Sequence, residues 1–230
     1  MKIIQTQTIL QSRPIAIQAN QVQSSGFSTG FEGWLPYAAP CYQISPDPKD
    51  YILYPVPILY SDLPNRNGYA MSLSELIRWQ PEHGCQSYVT WKGKPMFSEH
   101  KSDDLRRALG VIVDVSLQPI KGFNRGVFWK VMALLALDRS KGAEYVEMVD
   151  SGEVNSYSIG AMVERWSCSY CNAGEGECRH IDPDKPVNFY ELNGKLVYKN
   201  THGIVGYETS IVKDPAYALA HSDIRLSYET

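Results

Sequence analysis

Over residues 154–163 the side chains alternate so regularly that an extended strand is the natural reading. Tyr157, Ile159, Ala161 and Val163 fall on one face, and Ser156, Ser158 and Gly160 on the other. Such a strand buries one face and presents two hydroxyls beside a glycine on the other. That suits a reactive hydroxyl in a cleft, and equally an ordinary exposed sheet face. Residues 204–212 alternate in the same way, and residues 110–117 place Val111, Val113, Val115 and Leu117 on one face with Asp114 and Ser116 on the other. Residues 128–137 form a continuous apolar run of buried-strand length, with a short helix as the alternative. Segments 51–60 and 87–91 also read as strands. Helix signals are fewer. Ser72-Leu73-Ser74-Glu75 has the form of a capping box opening a short helix before Pro81. Ser140 is placed to cap a helix that carries Ala143, Val146 and Val149 inward and ends at Gly152.

With 230 residues, 43% hydrophobic and 20% charged, the chain can bury a substantial core. A net charge of −3 argues against an electrostatic nucleic-acid footprint. No apolar stretch approaches the about 20 residues of a membrane span, and the first residues lack an apolar signal core, so a cytosolic origin is expected. Five cysteines in such a chain point to thiols or metal ligands rather than disulfides. Residues 1–86, rich in Gln, Ser, Pro and Tyr, read as an irregular N-terminal extension packing on the core. Residues 87–230 read as the main domain, with a Cys/His-rich insert at 166–182.

A serine becomes a useful nucleophile at neutral pH only when a histidine takes its proton, usually with a third group orienting that histidine. Five histidines are available: His83, His100, His180, His202 and His221. Spacing alone does not choose among them. Three blocks do so by resemblance. The run from Trp91 through Gly93-Lys94-Pro95 to His100, followed by Leu109-Gly110-Val111-Ile112-Val113-Asp114, resembles the histidine segment of tailed-phage prohead maturation proteases. Ser158-Ile159-Gly160 resembles their nucleophile strand, and the stretch from Gly206 to Ala216 resembles their closing Glu-x-Ser-hydrophobe-Val-x-x-Pro-Ala segment. The blocks follow the family's order over roughly residues 88–220.

The resemblance implies an α+β fold: a β-barrel-like, mostly antiparallel sheet surrounded by helices, shared with herpesvirus assemblins. It implies His100 as general base and Ser158 as acylating nucleophile, with Ser156 as the competing serine on the same face. Glu208 matches the family's acid, with Asp214 as the alternative. The implied activity is a serine endopeptidase that cleaves scaffold or core proteins and the major capsid protein inside the assembling prohead, in the host cytoplasm. Homodimerisation is implied by the assemblin relationship, and no membrane partner is. Ser227-Tyr228-Glu229-Thr230 has the small-x-Glu form that large-phage relatives cut, so self-trimming after Glu229 is expected.

Cys168-Ser169-Tyr170-Cys171 and Cys178-Arg179-His180 form a second constellation. Three thiolates and an imidazole satisfy tetrahedral zinc with no open position, which suits a structural rather than a catalytic ion; reduced thiols on a loop are the alternative. Cys41 and Cys85 are isolated and expected to pack. Two other classes remain beside the protease: a non-catalytic capsid-assembly protein on a degenerate protease fold, and a zinc-stabilised interaction module.

Overall fold

The computed structural model describes residues 2–9, 33–65, 67–120, 128–154, 156–181 and 189–212, the first of these segments by its backbone only. Asp214, His221 and the Glu229 trimming motif lie outside the described residues. Along the chain the elements begin with β1 (Lys2–Ile9), α1 (Leu35–Tyr42), β2 (Tyr51–Tyr60), β3 (Tyr69–Ala70), α2 (Leu73–Leu76), β4 (Trp79–Gln80) and β5 (Cys85–Gln86). The central part holds β6 (Pro95–Ser98), β7 (Gly110–Pro119), β8 (Trp129–Asp138) and α3 (Ala143–Ser151). Then come β9 (Ser156–Val163), β10 (Arg165–Cys168), β11 (Tyr190–Leu192), β12 (Lys195–Val197), β13 (Lys199–His202) and β14 (Val205–Ile211).

Seven strands form the main sheet in the order β1-β9-β14-β6-β7-β8-β2. Every pairing is antiparallel except β14 with β6. The two ends meet again, with β1 returning into contact with β2, so the sheet curls into a half-barrel. Pro55 and Pro57 cannot donate to a ladder, which confines β2 to an edge, and an edge is where it lies. The segment expected as an N-terminal extension therefore supplies both outer strands, β1 and β2.

The continuous apolar run of β8 is a strand buried on both faces. Val131, Ala133, Leu135 and Leu137 enter the core inside the curl with Ile112, Tyr157, Ile159 and Ala161. Leu134 and Ala136 enter a second core with Val111, Val113, Leu53 and residues Leu35 and Ala39 of α1. The mostly antiparallel, barrel-like sheet agrees with expectation, but the surrounding helices do not. Among the described residues the helices are few and short, because the curl buries one sheet face against itself and one eight-residue helix covers part of the other.

Four local expectations are corrected. Residues Val111, Val113 and Val115 do not share a face, because β7 is bulged between Ile112 and Asp114. The bulge turns Val111 and Val113 to the outer core and Ile112 and Val115 to the inner one. Ser87–Trp91 is a 3-10 turn rather than a strand. Helix α3 begins after Gly142, not on a Ser140 cap; instead Asp138 accepts hydrogen bonds from the Ser140 and Lys141 amides ahead of it. Cys41 is exposed rather than packed. As expected, Gly152 closes α3 in the left-handed conformation at φ 80°.

Candidate functional site

Strand β9 keeps the alternation legible in the sequence. Tyr157, Ile159, Ala161 and Val163 enter the inner core, leaving Ser156, Ser158 and Gly160 on the opposite face. The two serines differ in what they do. The Ser156 hydroxyl donates to the Val212 carbonyl at 3.0 Å, a latch between the ends of β9 and β14. Ser158 sits directly opposite Ser210 on β14 and Gln7 on β1, and is fully buried.

The parallel pairing of β6 with β14 carries the chain to His100. Ser98 pairs with Ile211, and the Glu99 amide donates to the Ile211 carbonyl at 2.9 Å. Glu99 and His100 then adopt left-handed backbone at φ 49° and 55°, which costs a non-glycine residue roughly 1 kcal/mol or more each. The Lys101 amide to the Ser98 carbonyl and the Ser102 amide to the His100 carbonyl hold this turn, at 3.0 and 2.8 Å. Its product is a pairing of His100 Nδ1 with Glu208 Oε1 at 3.2 Å. The carboxylate is buried and the imidazole mostly so. The other carboxylate oxygen, Oε2, accepts from the Ser210 hydroxyl at 2.6 Å. Glu208 is thus held from both oxygens, with Ser210 between it and the strand position of Ser158.

The structure brings together a further set that the sequence did not signal. Ser167 Oγ lies 2.9 Å from His202 Nε2, and His202 Nδ1 lies 4.0 Å from Glu75 Oε2. The residue types are those of a triad, but the acid is committed elsewhere. Glu75 Oε1 accepts from the Gly203 amide at 2.8 Å and pairs with Arg78 at 2.8 Å. Its distance from His202 exceeds a hydrogen bond. The capping box is half made: the Ser72 hydroxyl accepts from the Glu75 amide at 3.2 Å, while the Glu75 side chain ties α2 to the turn between β13 and β14. Burial first, then the nearby Arg165, holds the His202 imidazole below its usual range despite Glu75. The set reads as a staple between elements whose sequence separation leaves no spacing to detect. His83 is exposed, and His180 belongs to the cysteine cluster.

In that cluster the ligand atoms of Cys168, Cys171, Cys178 and His180 all lie within 4.8 Å of one another. Cys171 and Cys178 sulfurs are 3.7 Å apart, against the ~3.8 Å edge of a tetrahedron with Zn–S about 2.3 Å. Backbone amides of Tyr170 and His180 donate to the Cys168 and Cys178 sulfurs at 3.4 and 3.3 Å, the stabilisation a thiolate needs. Hydrogen bonding, first from the Ala173 amide and then from His180, lowers the Cys171 thiol to about 7. Burial raises Cys168 to about 11. A small core of Trp166, Cys168, Ile181 and Val197 backs the cluster. The donor set and its spacing fit a closed four-ligand metal site.

No helix among the described residues is long and apolar enough to cross a membrane. No family model matches the chain, and no curated protein matches it. Among solved structures, the bacteriophage T4 capsid assembly protease gp21 superposes with a TM-score of 0.43 at 10% identity, over 92% of this chain and 97% of that one.

Proposed function

We propose that the protein is a serine endopeptidase of phage capsid maturation, with Ser158 as nucleophile, His100 as general base and Glu208 as the orienting acid. The observation that carries this reading is the 3.2 Å pairing of His100 Nδ1 with a Glu208 carboxylate that is itself fixed by Ser210. A carboxylate at Nδ1 keeps that nitrogen protonated and leaves Nε2 as the basic atom. In the first step the Ser158 oxygen bonds to the scissile carbonyl carbon as its proton passes to Nε2. As the carbon–nitrogen bond breaks, that proton moves to the leaving amine. Water, deprotonated by the same imidazole, then releases the acyl group and regenerates Ser158. Glu208 holds the imidazole in place and stabilises the imidazolium.

The capsid context rests on the three motif blocks, which point to scaffold or core proteins and the major capsid protein as substrates and to action inside the prohead; self-trimming after Glu229 rests on the small-x-Glu form of Ser227-Tyr228-Glu229. The cysteine cluster is read as a structural zinc site, with a ligand set that leaves no position for substrate. One observation favours a second reading, a non-catalytic capsid-assembly protein on a degenerate protease fold: Ser158 is fully buried. The protease reading requires that a small electrophile reach Ser158 in the isolated chain.

A fluorophosphonate probe with peptide mapping, together with the intact mass of the full chain, separates these readings. The expected result is modification at Ser158 and trimming in wild type, both lost in Ser158→Ala and His100→Ala. Modification at Ser167 instead, or equal trimming in wild type and Ser158→Ala, overturns the assignment.

A further inference from the structure

The face on which Glu208 emerges is decided by one irregularity. In β14, Val205 pairs with Met162 and Gly206 with Ala161, but the next pair is Glu208 with Gly160, so Tyr207 is an extra residue. Gly206 lies on the inner-core side: it faces the buried Ala161, and a Cβ there would come within 2.6 Å of the Trp91 ring. Glu208 lies on the opposite side, where a Cβ on Gly160 would come within 2.7 Å of Oε1. Two residues apart in a regular strand share a face; Gly206 and Glu208 do not, because the bulge intervenes. Without it, Ser158 would pair with Thr209, and Glu208 and Ser210 would point into the inner core.

A bulge leaves backbone groups outside the ladder, and here two side chains of the 3-10 turn meet them. The Gly206 amide donates to Thr90 Oγ1 at 2.7 Å, and that hydroxyl donates to the Ser87 carbonyl at 2.6 Å. The indole nitrogen of Trp91 donates to the Gly160 carbonyl at 3.2 Å, gripping β9 opposite the bulge. Both residues are buried. One turn therefore holds both strands where the register shifts.

We infer that Thr90 and Trp91 are positioning residues: they hold the bulge that aims Glu208 at His100, an inference that rests on the Ser158–His100–Glu208 reading. Thr90→Val keeps the shape but removes the acceptor of the Gly206 amide. Thr90→Ser keeps the hydroxyl. Nitrogen-15 NMR of the full chain reads the hydrogen-bonded His100 Nδ1–H proton, and fluorophosphonate labelling reads Ser158. The expected result is that the ring-proton signal weakens or disappears in Thr90→Val and labelling slows by about 100-fold, the scale of an ångström-sized misplacement. Thr90→Ser restores both, and cooperative melting persists in each variant. If Thr90→Val does not fold, Trp91→Phe takes its place: it removes the donor to the Gly160 carbonyl together with part of the buried ring, and cooperative melting shows whether the fold tolerates that loss.

Glu208→Gln is the control that separates the two ideas. If wild type lacks the ring-proton signal, or Glu208→Gln leaves signal and labelling unchanged, the triad reading fails and this inference falls with it. If the signal depends on Glu208 but both it and labelling are unaffected in Thr90→Val, the positioning role alone is overturned.

Discussion

Gly160 and Glu208 stand directly opposite each other across the β9–β14 pair, and a methyl group on residue 160 would come within 2.7 Å of Glu208 Oε1. The glycine two residues after Ser158 is therefore room for the carboxylate, not a hinge. Gly160→Ala forces the Glu208 side chain or the strand to shift, which disturbs the contact with His100. We expect fluorophosphonate labelling of Ser158 to fall by about 100-fold. The stability cost should be about 1–3 kcal/mol, the range for overpacking a filled site. Labelling kinetics and urea melts of the same sample check both. Unchanged labelling would detach Glu208 from the chemistry.

Zinc removal is expected to loosen the module built on Trp166, Cys168, Ile181 and Val197. Purified under reducing conditions, the protein should carry one zinc per chain by elemental analysis. Stripping it should lower the melting midpoint by roughly 10 °C, the scale of about 4 kcal/mol of ligand stabilisation in a chain of this size. Cys178→Ser should mimic the stripped protein. A wild type purified without zinc that takes up none when zinc is added would rule the site out.

The His202 imidazole is held below its ordinary value of 6.5 by burial and by Arg165, so folding favours its neutral form. Its contribution to stability is fully present above 6.5 and is lost as pH falls, because the unfolded chain then binds a proton that the folded one resists. Denaturant midpoints measured between pH 7.5 and 5.5 should therefore decline for wild type and decline less for His202→Gln, which keeps a polar group near Ser167. Parallel slopes would show that His202 does not report the fold's acid sensitivity.

Asp138 is a buried anchor outside the site. Its carboxylate accepts from the Ser45 amide at 2.7 Å, the Ser140 amide and hydroxyl at 2.8 and 2.7 Å, and the Lys141 amide at 3.2 Å. Burial alone would raise its pKa, but the Ser140 hydroxyl and these amides outweigh burial and hold it below 3.8. Its contribution is present above that value and is lost as pH falls below it. Asp138→Ala should cost about 3 kcal/mol, since it orphans several donors at once. Asp138→Asn should cost less, since an amide oxygen still accepts on one side. Chemical denaturation of the two variants tests that order.

Part of this geometry was legible in the sequence. Period-two alternation separates Ser158 from Tyr157 and Ile159, because successive side chains of a strand must leave on opposite faces and only one face of β9 is apolar. The Cys168, Cys171, Cys178 and His180 ligand set was legible too, because all four residues lie within thirteen positions and a short turn can bring them together. The motif blocks offered Glu208, with Asp214 as the alternative, as the acid for His100; Glu208 lies 3.2 Å from it, and Asp214 lies outside the described residues.

Tertiary structure decided the rest. A bulge adds one residue without disturbing the composition or the alternation on either side, so neither the shift at Tyr207 nor the one between Ile112 and Asp114 leaves a trace in the pattern. The polar partners of the Tyr207 bulge come from Thr90 and Trp91, more than a hundred residues earlier, in a segment whose propensities favour a strand. Propensity lost there because a buried amide needs an acceptor wherever the fold can supply one. The strand, its two serines and its glycine were written in the order of side chains. Which face of β14 meets them, and so whether Glu208 reaches His100 or the core, was settled by a register that only long-range pairing can set.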